Sequence, residues 1–308
     1  MRVIYYIAIM VFSLLGFQVS GQQDAQFTQY FDNTLFVNPA YAGSRGLLNI
    51  TGIHRQQWVG FDGHPESTTL GVHSPVVNEN IGLGVTYVND VVGPLTQNLV
   101  YGDFSYTLNF KNSPGKLAFG LKAGMNLLNS RTNELLTTDQ QDPSLMTNAT
   151  NAITPNFGFG IYYHSPKFFL GLSAPKLMEY NSKSNLVDNI VLDERRHYFL
   201  ILGGVFNLSS DWKLRPTSNL KYIPGSPLSI DISAAFIYSE CIWLGVMHRV
   251  SDSFGAFVQY QLTPQFKIGL AYDKSITELA GFNKGTYEAL MSYDFTFKKK
   301  GIRSPRYF

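Results

Sequence analysis

The sequence has little charge and almost no cysteine. Only 15% of its 308 residues are charged, whereas soluble domains carry about 25%. Cys241 is the one cysteine, so an intramolecular disulfide is excluded, and it lies too far along the chain to be a lipoprotein cysteine. The formal net charge of +2 argues against a nucleic-acid partner, because phosphate binding needs a strongly cationic surface.

Long apolar runs are missing as well, except at the start of the chain. Residues 1–21 combine Arg2, an apolar stretch of signal-peptide length and a small-residue cleavage site at Val19-Ser20-Gly21. The alternative is a membrane anchor, but the run is short for a span and polar residues follow at once. We therefore predict a cleaved signal peptide with Gln22 as the first mature residue. Loss of Arg2 lowers the net charge to +1.

Motifs that carry chemistry are absent too. The six histidines show no HExxH or other metal-ligand spacing, and there is neither a G-x-S-x-G elbow nor a P-loop. Asp139 and Asp142 lie in a polar stretch that either binds calcium or is a solvated loop, and the EF-hand spacing is missing. The sequence thus predicts no catalytic residue, no cofactor, no metal ligand and no enzymatic activity.

What the sequence does contain is repeated alternation of apolar and polar residues. From Phe266 to Asp273, every second side chain is apolar and large, which is typical of a strand with one apolar and one polar face. The 18 tyrosines, 23 phenylalanines and 27 glycines also fit a membrane barrel with aromatic girdles. The pattern predicts fourteen strands, at 47–57, 66–76, 80–90, 97–109, 116–128, 154–165, 167–174, 195–209, 212–222, 228–238, 241–249, 253–262, 265–273 and 286–297.

The connections between these strands favour an outer-membrane barrel over a soluble β-sandwich. If the chain begins in the periplasm, the even-numbered strands end in tight turns, and most other connections are longer, as at 58–65, 129–153, 175–194 and 274–285. A sandwich would instead pack one face of each sheet into a core. We predict an all-β, antiparallel transmembrane barrel of about fourteen strands over residues 47–297, in the outer membrane of a Gram-negative bacterium and in contact with its lipid.

Two segments flank the predicted barrel. Residues 22–46 are aromatic but irregular, and we hypothesise that they occupy the lumen, starting at the periplasmic mouth. Within them, Asn38 to Gly43 can equally form only the turn into the first strand. Residues 298–308 are a predicted periplasmic tail. Five charged residues of the wall are predicted to face inward, where they either line a conduction path or bind a plug through paired charges: Asp103, Lys122, Asp231, Lys267 and Asp273.

Three segments together resemble one family. They are QFTQYFDNTLFVNPAYAGS at 26–44, RQQWVGFDGHPES at 55–67 and SPRYF at 304–308. They are similar to the PorP/SprF family of Bacteroidetes outer-membrane proteins, associated with type IX secretion and gliding motility. The residues of these motifs, with one loop tyrosine, are the candidates for partner binding: Asn38, Pro39, Ala40, Tyr41, Gly43, Arg55, Gln57, Trp58, Gly60, Phe61, Tyr180, Ser304, Pro305, Arg306, Tyr307 and Phe308.

The resemblance implies a function that the residues alone do not. Members of the family export or anchor large adhesin-like surface proteins that carry a C-terminal sorting domain. The implied partners are that secreted protein and periplasmic peptidoglycan-binding or lipoprotein components of the apparatus. Two other functions stay open on the barrel pattern: a passive or substrate-specific porin, and an outer-membrane hydrolase, for which no nucleophile and base are apparent. Trp58 either contacts a partner or belongs to the aromatic girdle.

Overall fold

The computed structural model describes residues 25–60, 62–77, 79–130, 152–180 and 194–296. The predicted signal peptide and the tail at 298–308 therefore lie outside the described residues, as do Asp139 and Asp142. Within the described part, strands predominate and the helices are short. No helix there has the length and apolarity needed to cross a bilayer.

The strands follow one another in the order of the chain. Each is antiparallel to its neighbours, so short connections join strands that are adjacent in space. Their bounds are β1 (Leu48–Gln56), β2 (Glu66–Val77), β3 (Ile81–Val92), β4 (Leu95–Asn109), β5 (Lys116–Ser130), β6 (Ala152–His164), β7 (Phe168–Lys176), β8 (His197–Gly204), β9 (Phe206–Asn207), β10 (Trp212–Tyr222), β11 (Ser229–Tyr238), β12 (Ile242–Arg249), β13 (Ser253–Gln261), β14 (Phe266–Ser275) and β15 (Thr286–Phe295).

The sheet closes on itself. Strand β1 pairs with β15 along its whole length, from Leu48 opposite Phe295 to Gln56 opposite Tyr287. Strands β8 and β9 both pair with β10 and form one interrupted strand. The interruption lies opposite Pro216, which has no N–H to donate to the ladder. The result is a closed fourteen-strand barrel without an open edge, which confirms the predicted fold class.

The outer wall of the barrel is apolar. Side chains alternate along the strands, and large apolar residues such as Leu121 and Leu270 point outward and are more than 60% exposed. Aromatic pairs form two bands at opposite ends of the strands: Tyr272–Tyr287 and Tyr198–Tyr222 at one end, Trp212–Tyr238 and Phe266–Tyr293 at the other. This wall suits a lipid environment, with aromatic girdles at the two interfaces.

The two ends of the barrel differ in their connections. One end has only short turns, at 78–80, 110–115, 165–167, 208–211, 239–241 and 262–265, and the other carries the long connections. We call them the short-turn end and the long-loop end; in outer-membrane barrels they face the periplasm and the exterior respectively. One prediction at the long-loop end was wrong in length: β3 and β4 are separated by Gly93 and Pro94 alone. The left-handed conformation of Gly93, φ +55°, permits this tight turn.

The amino-terminal segment, residues 25–46, lies inside the barrel. It consists of a 3-10 helix (Tyr30–Asp32), the one-turn helix α1 (Thr34–Val37) and a second 3-10 helix (Pro39–Tyr41). The side chains of Phe27, Tyr30, Phe31 and Tyr41 are buried against the inner faces of the strands. The predicted entry from the periplasmic mouth was wrong in direction. Gln26 contacts Ser229 at the long-loop end, and the segment runs from there to Arg45 at the short-turn end.

Candidate functional site

A buried ion cluster holds the start of the amino-terminal segment. The Arg55 guanidinium on β1 lies 2.9 Å from Asp273 on β14 and 3.3 Å from Glu288 on β15. Glu288 also accepts hydrogen bonds from the backbone N–H groups of Thr28 and Gln29, at 2.8 and 2.9 Å. Charges this deeply buried are stable only when they are paired and hydrogen-bonded. The cluster therefore joins three strands of the wall to the segment.

A second set of contacts fixes the middle of the segment. The Asp32 carboxylate pairs with Lys267 of β14 and accepts a hydrogen bond from Gln259 of β13. The Arg215 guanidinium on β10 stacks 3.9 Å from the centre of the Phe31 ring. Such cation–π contacts are strongest where water is excluded. Ionic contacts with β13 and β14 and an aromatic contact with β10 thus hold this part of the segment.

The motif from Asn38 to Gly43 also lies inside the lumen, nearer the short-turn end. The Asn38 side chain accepts a hydrogen bond from the Ala40 N–H and donates one to the Ile161 carbonyl of β6. The Tyr41 ring packs edge-on between His73 and Tyr162, with ring centres 5.2 and 5.4 Å away. The motif therefore does more than turn the chain into β1, because Asn38 also bonds to β6, which is not a neighbour of β1 in the barrel.

Two wall glycines that the sequence analysis did not single out make room for this motif. A Cβ atom placed on Gly120 would lie 2.1 Å from the Ala40 nitrogen, and one on Gly82 would lie 2.2 Å from the Ala42 carbonyl oxygen. Neither distance is compatible with a side chain, so both positions require glycine for close backbone approach. The sequence does carry one signal of this close approach: both glycines occupy inward positions in strands whose apolar and polar residues alternate strictly.

The second motif lies at the long-loop end. Val59 exchanges backbone hydrogen bonds with Lys284 and Gly285, so the first loop is bonded to the last one. Trp58 and Gly60 have left-handed backbones, with φ of 55° and 128°. The Gln57 N–H donates to the Pro65 carbonyl, which closes the base of the first loop. Phe61 lies outside the described residues.

A cavity of about 660 Å³ opens at the long-loop end. Ala25 and Gln26 of the amino-terminal segment contribute to its lining, and Trp58 lies on its wall. Charged side chains of both signs also line it, among them Lys176 and Asp252. Its volume is within the range of ligand pockets in general. The cavity is therefore a mixed polar and apolar recess above the filled part of the lumen.

Tyr180, one of the candidates for partner binding, is buried at the base of a long loop. It is only 2% exposed and packs with Leu128 and Ala152. Its hydroxyl donates a hydrogen bond to the Pro155 carbonyl, and its backbone pairs with Glu194. Burial, with the nearby Glu194 carboxylate, raises the pKa of this hydroxyl. Tyr180 thus fixes the base of a long loop.

Three of the five inward charges, Lys122, Lys267 and Asp273, contact the amino-terminal segment, and Asp103 and Asp231 pair with other residues of the wall. Lys267 and Asp273 contact the amino-terminal segment directly, through Asp32 and Thr28. Lys122 pairs with Asp103 at 3.0 Å and also donates to the Leu35 carbonyl of the segment. Asp231 pairs with Arg249 within the wall, at 2.7 Å. Of the two alternatives, a conduction path or a bound plug, these contacts match the second.

The remaining candidates can be placed only in part. Ser304, Pro305, Arg306, Tyr307 and Phe308 lie outside the described residues. Thus the structure brings together Asn38, Pro39, Ala40, Tyr41 and Gly43 in the lumen, and places Arg55 between them and the long-loop end. No group of side chains with the composition of a metal site occurs in the described ranges.

Comparison with known proteins agrees with this architecture. Residues 19–293 match the family model described as type IX secretion system membrane protein PorP/SprF. No curated protein matches the sequence significantly.

One solved structure shows the same class of fold, and two others are more distantly similar. The monoaromatic hydrocarbon channel CymD is similar with a TM-score of 0.50 and 12% identity, over 86% of this chain and 93% of that one. The Acinetobacter baumannii outer membrane protein Omp33 has a TM-score of 0.44 and 10% identity, over 81% and 98%. The KdgM porin has a TM-score of 0.36 and 12% identity, over 80% and 99%. At such identities the likeness concerns the fold alone.

Proposed function

Because the chain belongs to the PorP/SprF family of type IX secretion system membrane proteins, we propose that it exports or anchors a large cell-surface protein by binding that protein's C-terminal sorting domain. The barrel resides in the outer membrane. Its periplasmic partners in this proposal are peptidoglycan-binding or lipoprotein components of the secretion and gliding apparatus. The role is that of a binding component and not of an enzyme.

One observation carries the proposal: the lumen is filled by the chain's own amino-terminal segment. Thr28, Gln29 and Ala40 are fully buried inside the barrel. The segment is bonded to the wall by the Arg55 cluster and by Asp32 with Lys267. A folded cargo has no route through a lumen occupied in this way. The surfaces left for recognising a secreted protein are the two ends of the barrel.

The long-loop end is the better of these two surfaces. The loop between β14 and β15 exposes Phe282 by 77%, with Ile276 and Leu279 also exposed nearby. It is not a loose loop, because the Lys274 ammonium donates to the carbonyls of Ala280 and Asn283. Rigid exposed aromatic and aliphatic side chains are the usual anchors of protein interfaces. This end also contains the mixed cavity, which suits polar contact with a partner.

The proposal is tested by changing the long-loop end while the barrel is kept. The connections at 129–153 and 175–194 are shortened in separate variants that keep β5, β6 and β7 and the Tyr180–Glu194 pairing intact, and a third variant carries Phe282→Ser. Lys111→Ser, on an exposed turn at the other end, is the matched control. Heat-modifiable migration on a gel verifies the barrel in each variant. We expect at least one outer-end variant to lose most of the surface-displayed partner, and the control to keep it.

The outcome that contradicts this docking site is equally clear. If all three outer-end variants display normal amounts of the surface protein, the partner does not bind at the long-loop end. The periplasmic mouth with the tail at 298–308 is then the alternative docking site.

The porin alternative is tested separately by planar-bilayer conductance. A barrel whose lumen is filled should show no large steady channels, because the ions have no continuous water-filled path. Removal of residues 26–40, which form most of the filling, should raise the conductance. Large steady channels in the unaltered protein would favour the porin function over the anchor function.

A further inference from the structure

We infer that the mature amino terminus of this chain is presented at the cell surface, through the cavity at the long-loop end, and not in the periplasm. The inference concerns the path of the chain and does not rest on the proposed function. It would make the terminal amine and the residues beside it accessible to proteins and reagents outside the cell.

The direction of the amino-terminal segment is the first step of the argument. The Gln26 amide lies 3.3 Å from the Ser229 hydroxyl, at the start of β11 on the long-loop end. The other end of the segment reaches the opposite mouth, where the Arg45 guanidinium lies 3.8 Å from Asp294 near the end of β15. The segment therefore extends along the lumen, with its amino-terminal side toward the exterior.

The second step is that this direction is fixed. Glu288 accepts two backbone N–H groups and the Gln29 side chain, and Thr28 donates from its hydroxyl to Asp273. Phe27 packs against Ile53 and Leu290 beside this cluster. These contacts immediately follow Gln26, so they hold the chain at the point where it leaves the filled part of the lumen.

The third step is that the chain has no way back to the periplasm. Below Gln26 the lumen is packed: Thr28 and Gln29 are fully buried, and Tyr30 and Phe31 are nearly so. A second pass of the chain beside them would need space that these side chains occupy. The wall of the barrel offers no gap either, since a transmembrane barrel must keep its backbone hydrogen bonds paired.

The fourth step is reach. If the signal peptide is cleaved after Gly21, three residues precede Ala25, and they span at most about 11 Å when fully extended. A strand of nine residues such as β1 rises roughly 30 Å. The amine therefore cannot reach the short-turn end, and the cavity that Ala25 and Gln26 line is its exit.

Cysteine labelling in intact cells tests the inference. Cys241 lies at the short-turn end and is replaced by alanine, so that each variant carries a single thiol. Ala25→Cys reports on the segment. Phe282→Cys is the positive control for the exterior, and Lys111→Cys is the control for the periplasmic side. The probe is a membrane-impermeant maleimide, applied before and after the outer membrane is permeabilised.

We expect Ala25→Cys and Phe282→Cys to react in intact cells, at least ten-fold more than Lys111→Cys, which should react only after permeabilisation. A second variant covers the case in which the maleimide does not reach a thiol inside the cavity. In this variant an epitope with a flexible linker is inserted after Gln22 and is detected by antibody on intact cells. The inference would be overturned if Ala25→Cys, like Lys111→Cys, were labelled only after permeabilisation, or if the epitope were detected only after permeabilisation. Either result would leave the outer-loop docking proposal untouched, because that proposal is measured by partner display.

Discussion

At the scale of single residues, Arg55 connects more of the molecule than any sequence feature indicates. Its side chain is 2% exposed and contacts Thr28, Asp273 and Glu288, which belong to the amino-terminal segment, β14 and β15. Removing one partner of a buried ion pair leaves the others as uncompensated buried charges. Arg55 therefore supports both the seating of the segment and the wall around it.

We predict that Arg55→Ala destabilises the barrel by about 3–5 kcal/mol. The measurement is the free energy of unfolding in urea, in detergent micelles, followed by heat-modifiable migration. Arg196→Ala is the matched control, because Arg196 pairs with Glu179 at the surface, with both side chains more than 40% exposed. Exposed pairs contribute about 0–1 kcal/mol. Equal effects of the two substitutions would show that the Arg55 cluster does not stabilise the fold.

The sequence identified Arg55 as a motif residue, but it did not predict the ion cluster in which Arg55 takes part. Its motif was recognisable, and alternation predicted that Asp273 faces inward. The partner Glu288 lies 233 positions away in the chain, and no local pattern specifies a pairing at that separation. Likewise, Gly120 and Gly82 looked like ordinary strand glycines, since the backbone that requires them comes from a segment without periodicity.

At the scale of elements, the strands were predictable and the segment inside them was not. A strand between lipid and a polar interior has a strict period of two, so its sequence carries its own signal. Strands β10, β12 and β13 accordingly match their predicted ranges to within one residue at each end. The amino-terminal segment has helices of three or four residues. Its conformation depends on contacts with distant strands, which local propensity does not encode.

We predict that Gly120→Leu displaces the amino-terminal segment from its place against β5. The new side chain would occupy the position of the Ala40 backbone, so either the segment or the strand must move. The expected results are higher single-channel conductance and faster proteolysis of the segment. Gly102→Leu on β4 is the control, because Gly102 faces outward and an added Cβ meets only an ordinary contact at 3.8 Å. Unchanged conductance in Gly120→Leu would argue against a closed lumen.

At the scale of the whole molecule, stability comes from closure. All fourteen strands are paired on both sides, and the apolar surface faces outward while charged residues are buried in pairs. A soluble domain has the reverse arrangement, with its apolar side chains inside. Here the closed ring of backbone hydrogen bonds stabilises the fold without disulfides. The low charge and the alternation predicted this arrangement, and the short-turn and long-loop ends predicted its orientation.

We predict that the unheated protein in mild detergent migrates anomalously on a gel and shifts on boiling, because closed barrels resist unfolding by detergent at room temperature. The protein should also remain in the membrane fraction after carbonate extraction. Its circular-dichroism spectrum should be that of a β-protein. A helical spectrum, or release of the protein by carbonate, would contradict the barrel.

The pairing of β1 with β15 has a consequence for the order of assembly. The ring is completed by β15, the last strand in the described part of the chain, and β15 supplies Glu288, which binds the backbone of Thr28 and Gln29. Thr28 and Gln29 therefore reach their final contacts only after β15 has been synthesised. Because the enclosed segment is buried and bonded to the wall, we expect the sheet to close around it during assembly. A chain truncated before β15 would lack the strand that pairs with β1. It would also lack Glu288, which accepts the hydrogen bonds of Thr28 and Gln29.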